Sequence, residues 1–169
     1  MRGTHLYWVD GPWPGKLALA ARPRGGEWLH DEITAWSQAG VNTVFSLLTH
    51  EEEQDLDLAY EQTEAKAQGM EFLSFPIPDR QVPASESALR KAIEKLETDL
   101  TAGRKVVLHC RQGVGRSGLV AVCLLLAKGI HAETALNLLS QARGTSVPET
   151  PEQRRWIDRY ASTLASAHR

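Results

Sequence analysis

The sequence predicts an α/β fold with a mainly parallel central sheet flanked by helices. Three observations lead there. Short strand-like runs alternate along the chain with longer segments of helical period. In residues 41–48, Val44, Phe45, Leu47 and Leu48 leave little room for a wet face, the pattern of a strand buried on both sides. After residue 117 comes a helix that is apolar all round, which belongs at the centre of a domain. A chain of 169 residues can build one domain with a real core and is too short for two comfortable ones, so a single domain over 1–169 is expected.

In chain order, residues 6–9 and 17–21 read as short strands, joined through the turn formers of Asp10-Gly-Pro-Trp-Pro-Gly. A helix over 31–39 stops at Gly40. The strand at 41–48 leads into an acidic helix over 52–68, stopped by Gly69, and then a strand at 72–75. Residues 76–83, PIPDRQVP, hold too many prolines for regular structure and form a loop. Ser85 caps a helix with Leu89, Ile93, Leu96 and Leu100 on one face. Gly103 ends it, and 105–109 is a short strand. Two further helices are expected over 132–142 and 151–164.

Bulk properties remove several function classes. The net charge of -2 offers no general positive field for nucleic acid or an acidic membrane. Two cysteines, Cys110 and Cys123, are not the dense framework of a small secreted domain. The first residues lack a signal-peptide core, and the longest apolar run, 119–127, falls far short of a membrane span. These features suggest a reduced, cytoplasmic setting that suits a reactive thiol. The six histidines show no metal-ligand spacing, so neither metal nor cofactor is expected.

The chemistry concentrates in residues 109–118, HCRQGVGRSG. Ligands of open α/β sheets bind beyond the carboxyl ends of strands, where this loop stands. Gly113 and Gly115 let the chain curl and turn successive N–H groups inward. The following helix begins with unpaired N–H groups and a partial positive charge. Arg116 adds a planar fork that can hold two phosphate oxygens. Together these make a cradle for a tetrahedral dianion. The same field eases loss of the Cys110 proton, and a thiolate is a nucleophile.

The loop resembles the His-Cys-x5-Arg-Ser signature of the cysteine-dependent protein tyrosine phosphatases. GVNTVFSLL, PIPDRQVP, CLLLAKG and TPEQ extend the likeness over roughly residues 16–160. Within that superfamily the chain is similar to the compact dual-specificity group, near the cyclin-dependent-kinase-associated phosphatases. The resemblance implies a single phosphatase domain with that superfamily's three-layer fold. It also implies hydrolysis of phosphotyrosine, with or without phosphoserine and phosphothreonine, through a phosphocysteine on Cys110. The backbone of Arg111, Gln112, Gly113, Val114, Gly115 and Arg116, with the Arg116 side chain, would bind the phosphoryl oxygens. Ser117 would hydrogen-bond the sulfur and help it leave, and His109 would support the loop from a buried position. The leaving oxygen needs a proton. Asp79, 31 residues before Cys110 and four before Pro83, fits the family's Asp-x-x-x-Pro pattern for the acid. Gln153 matches a glutamine that positions the hydrolytic water in some relatives. The expected partner is a phosphorylated protein or peptide, with no nucleic acid and no membrane, and no oligomeric state is read from the sequence.

Other readings compete at several positions. Thr150-Pro-Glu-Gln153 is also a capping box, so Gln153 could simply close a helix start. Ser117 could also cap the apolar helix. Cys123 fits the core, a disulfide with Cys110 being the alternative. Residues 51–53 read as a solvated helix start with His50 as a loop residue beside them, and Trp8, Trp13 and Trp28 as packing or rim residues. Phosphoinositide, glucan or RNA 5′-phosphate is the second substrate class. Arg111 is the only added charge inside the loop, which argues against a polyphosphate. A weak phospho-binding module would be expected to lack the cysteine, the arginine or the acid, and all three types are present.

Overall fold

The computed structural model describes residues 4–167. A five-stranded sheet is built from β1 (Tyr7–Val9), β2 (Lys16–Ala20), β3 (Thr43–Ser46), β4 (Glu71–Ser74) and β5 (Lys105–His109), in the order β1-β2-β5-β3-β4. Only β1 runs antiparallel, pairing Tyr7 with Leu19 and Val9 with Leu17. β5 lies at the centre between β2 and β3, in parallel register with both. The mainly parallel sheet expected from the alternating pattern is therefore present.

Strand alternation divides the core into two layers. Leu17, Leu19, Val106 and Leu108 face one side, against α4 (Glu86–Thr101), α5 (Arg116–Ala127), α6 (Ala132–Arg143) and α7 (Pro151–Ala167). Ala18, Ala20, Val44 and Val107 face the other, against α1 (Leu29–Gln38) and α3 (Glu61–Ala67). Helices thus cover both faces, giving three layers. Residues 116–125 of α5 are all buried, as its apolar circumference requires. No helix among the described residues is long and apolar enough to cross a membrane.

Three sequence expectations are corrected. The single acidic helix over 52–68 is two helices, α2 (His50–Asp55) and α3, separated by Asp57 in a left-handed conformation with φ 57°. The break puts Leu58 fully inside the core and lets the Asp57 carbonyl accept from Gly26 N–H at 3.0 Å. Tertiary burial of Leu58 and this cross-chain bond outweigh helix continuity. His50, read as a loop residue, is the first residue of α2. The strand at 41–48 is shorter than its apolar run, because Val41, Leu47 and Leu48 are buried as flanking segments rather than as ladder residues.

Candidate active site

All four parallel strands deliver a segment to the same end of the sheet. β5 leads into Cys110 and β3 into Leu47 and α2, while β4 leads toward Asp79 and β2 ends at Ala20. Backbone bonds tie these ends together. Leu47 N–H donates to the His109 carbonyl (2.9 Å), Ile77 N–H to Leu47 (3.1 Å), and Arg22 N–H to Arg111 (3.3 Å). Residues far apart in sequence meet there because parallel strands share one carboxyl end.

Residues 110–116 curl between β5 and α5. Gly113 takes φ 75°, where an L side chain is strained, and a Cβ on it would stand 2.5 Å from the Ala20 carbonyl. Of the two glycines expected to let the chain curl, Gly115 is not left-handed. Its φ is -77°, and its small size instead leaves room for the Gln153 amide, which a Cβ would meet at 3.0 Å. The Gly113 N–H turns inward and donates to Cys110 Sγ at 3.3 Å. Arg143, at the end of α6, donates to the carbonyls of Gln112 (3.0 Å) and Gly113 (3.3 Å) while stacking on the Tyr7 ring.

Cys110 is 3% exposed, yet it lines a small cavity rather than facing only the core. Gln112, Gly115 and Arg116 line the same cavity from the loop. Asp79 and Arg80 enter from the segment after β4, and Glu149 and Gln153 from the start of α7. Arg80 donates to Glu149 at 2.6 Å across this mouth, and Gln153 Nε2 donates to the Gln81 carbonyl at 3.1 Å. Both expected functions of Gln153 have a geometric counterpart. Its Oε1 accepts from Thr150 N–H while Thr150 Oγ1 accepts from Gln153 N–H, a reciprocal capping box, and its side chain also borders the cavity.

Arg116 is 1% exposed and heavily bonded. Its Nη1 donates to Glu52 Oε1 (2.6 Å) and the Ile77 carbonyl (2.7 Å), and its Nη2 to Glu52 Oε2 (2.9 Å) and Asp79 Oδ1 (3.1 Å). Burial works against this charge, and the bonds to Glu52 with the nearby Cys110 and Asp79 outweigh it. Burial likewise raises the Glu52 carboxyl, but hydrogen bonds from Arg116 and the Thr49 backbone pull it down to about 2. Reading residues 51–53 as a solvated start is thus corrected at Glu52, which is 7% exposed and grips the Arg116 fork. The sequence carried one clue: Glu52 stands three residues after Thr49, the capping-box spacing that the structure uses.

The remaining loop residues divide. Arg111 turns out of the cavity and donates to Glu52 at 3.3 Å, while Val114 packs on the core. Ser117 is not a helix cap, since Gly115 holds that position and α5 begins at Arg116. Its buried Oγ has no hydrogen-bond partner among the described residues, so the bond expected to the sulfur is not made. His109 is fully buried, with Glu61 at 2.6 Å as a partner that the sequence reading did not foresee. Cys123 is fully buried in α5, burial pushes its thiol up, and it is not joined to Cys110. Trp13 is buried, whereas Trp8 and Trp28 are partly exposed and border none of this cavity.

Chemically, the arrangement places a sulfur, a guanidinium and a carboxyl around one small cavity below a loop that turns an N–H inward. That set can bind a tetrahedral anion, attack it and protonate its leaving group.

Comparison with known proteins agrees. The family model described as "Tc-R-P: Polymorphic toxin system, DSP-PTPase phosphatase" matches residues 18–130. Cyclin-dependent kinase inhibitor 3 of Rattus norvegicus is 37% identical over 93 residues, which cover 54% of this chain and 43% of that protein. The chain therefore spans less than half the length of this curated relative. Among solved structures, kinase associated phosphatase with its catalytic cysteine replaced by serine has a TM-score of 0.88 at 24% identity, covering 98% of both chains, a likeness of fold. The active form of Tk-PTP has a TM-score of 0.76 at 27% identity, covering 93% of this chain and 96% of that one.

Proposed function

We propose, from the premise that this chain belongs to the polymorphic-toxin-system DSP-PTPase phosphatase family, that it is a cysteine-dependent phosphatase acting on phosphotyrosine, and on phosphoserine or phosphothreonine, in protein substrates. One observation carries the reading: Cys110 and the Arg116 side chain converge on one cavity, with Asp79 above them from a different strand end.

In the proposed reaction the Cys110 thiolate attacks phosphorus while the bond from phosphorus to the substrate oxygen breaks. Asp79, as the carboxylic acid, passes its proton to that oxygen. The backbone of residues 111–116 and the Arg116 fork hold the three equatorial oxygens, where positioning and charge stabilisation do most of the work. A water oriented by Gln153 then attacks the phosphocysteine and gives a proton to the Asp79 carboxylate, and the sulfur leaves. Ser117 Oγ, buried and without a hydrogen-bond partner among the described residues, is a hydroxyl available to the departing sulfur. His109 supports the loop from beneath.

A protein substrate is favoured over a phosphoinositide or another polyphosphate by charge. Glu52, Asp79 and Glu149 stand beside the cavity, and three of the cationic side chains near it, Arg80, Arg111 and Arg116, are already paired with carboxylates. The kinase associated phosphatase among the structural relatives points the same way. The proposal covers a single phosphatase domain over 1–169, working in the cytoplasm without metal.

Cys110→Ser incubated with phosphopeptides, phosphoinositides and 5′-phosphorylated RNA tests both parts. The expected result is no turnover of an aryl phosphate, with retention of phosphopeptides alone. Turnover by that variant refutes the covalent step, and retention of lipid or RNA instead of peptide refutes the substrate class.

A further inference from the structure

His109, the last residue of β5, and Glu61, the first of α3, form a pair that the reaction above leaves unused. His109 Nε2 lies 2.6 Å from Glu61 Oε2, and the residues are 0% and 1% exposed. Trp36 of α1 packs beside the imidazole, with ring centroids 5.8 Å apart. Glu61 Oε1 is buried with no hydrogen-bond partner among the described residues. From α2 the pair is faced by Glu53, whose carboxyl is raised by burial and then by Glu61, with His50 and His109 opposing. On the other side of the ring, His109 Nδ1 faces the Cys110 carbonyl at 3.5 Å.

We propose that Glu61 is a positioning residue for the nucleophile, holding His109 in a form that carries its proton on Nδ1, toward the Cys110 carbonyl. The inference rests on Cys110 being the nucleophile and adds a residue that acts through its neighbour.

The argument is one of counting protons. A buried carboxylate beside a neutral imidazole leaves an uncompensated negative charge in the interior, which is costly. Two arrangements have no net charge. In one, imidazolium donates to carboxylate; in the other, the carboxylic acid donates to a neutral ring at Nε2. Both place a hydrogen on Nδ1. The remaining arrangement, Nε2–H to carboxylate with a bare Nδ1, is charged and also sets the Nδ1 lone pair against the oxygen of Cys110. Geometry and charge therefore select the same proton position.

At 3.5 Å the Nδ1 contact is at the outer limit of a hydrogen bond, so it acts as an oriented dipole more than as a strong bond. The Cys110 peptide joins β5 to the loop. A donor at its carbonyl fixes the plane of that peptide and so the direction of Sγ. It also opposes the negative charge that the thiolate brings. Without Glu61 the ring has neither its anchor nor a reason to stay protonated on Nδ1.

Two measurements decide this. In the native protein, ¹⁵N-resolved NMR of the His109 ring is expected to show a protonated Nδ1 at about neutral pH. A bare Nδ1 overturns the proposal without any substitution. In Glu61→Leu, close in volume and unable to hydrogen-bond, iodoacetate alkylation of Cys110 at about pH 6 is expected to slow about tenfold, with circular dichroism unchanged. A rate within about twofold of native overturns the positioning role. If Glu61→Leu does not fold, Glu61→Met is read in the same way. Native Cys110 that fails to react at all would sink the phosphatase reading itself, whereas a native protein that reacts beside a variant reacting equally fast sinks only the role of Glu61.

Discussion

Replacing Glu52 by Gln isolates the charge that holds Arg116. Gln keeps the length of the side chain, and its carbonyl can still accept from Thr49 N–H, so the capping box at the start of α2 survives. What is lost is the carboxylate that takes both Arg116 nitrogens, at 2.6 and 2.9 Å. The Glu52 carboxyl is held at about 2 instead of its ordinary 4.5. That difference corresponds to about 3 kcal/mol of stability at neutral pH. Partial screening by solvent reduces that figure, so it is an upper bound. The stabilisation belongs to the ionised form. It is fully present above pH 4.5, shrinks as pH falls and is gone below about 2. With a urea slope of about 1–3 kcal/mol per molar, Glu52→Gln should lower the pH 7 midpoint by about 1–3 M. The gap between the two proteins should close as the titration is repeated toward pH 2. In parallel, kcat/KM for an aryl phosphate should fall on the order of tenfold to hundredfold, because the fork loses its fixed orientation. Equal midpoints at pH 7, or a gap of constant size down to pH 2, would refute the assignment of Glu52 as the anchor of Arg116.

Other substitutions test separate parts of the site. Arg116→Lys should cost kcat/KM at least about a hundredfold, since a point charge cannot hold Glu52 and the phosphoryl group in fixed directions at once, and near-native kinetics would contradict this. Asp79→Asn should lower kcat, remove the alkaline limb of its pH profile, and hurt alkyl phosphates more than nitrophenyl phosphate; an equal loss across leaving groups moves the acid elsewhere. Gly113→Ala puts a side chain at φ 75° and 2.5 Å from the Ala20 carbonyl, so it should destabilise by more than about 1 kcal/mol and weaken inorganic phosphate binding. An unchanged Tm would show that the loop does not need that close approach.

The loop was legible because its chemistry is local. Cysteine, glycines and arginine fall at fixed short spacing between a strand and a helix, and each residue type has a physical reason to be there. Asp79 was legible only through its spacing to Pro83 and Cys110. Glu52 and Glu61 were not, for a common reason. Each sits in an acidic stretch that looks like a solvated helix face, and each finds its partner far along the chain, Arg116 and His109 respectively. Nothing in a local window separates a carboxylate facing water from one facing a buried cation. The break at Asp57 was missed because residues 52–68 contain no glycine or proline to mark it, and the burial of Leu58 that accompanies it is visible only in the fold. Gly115 was singled out as letting the loop curl, but the use its small size serves, room for the Gln153 amide from α7, needs the fold to be seen.

The bonding of Arg116 also bears on how binding and acid catalysis are linked. Its Nη1 is spent on inward acceptors, Glu52 and the carbonyls of Leu47 and Ile77. Nη2 is shared between Glu52 and Asp79. Glu52 is buried and fixed by its helix cap, whereas the Asp79 side chain is 49% exposed and comes from a loop. A phosphoryl dianion seeking the fork therefore has one partner it can displace. Taking the place of Asp79 at Nη2, it would free that carboxyl from the guanidinium. Substrate binding would thus prepare its own proton donor. Under the proposed reaction the two carboxylates on one guanidinium would have distinct work: the buried one would aim the fork, and the exposed one would give way to substrate and return as the acid.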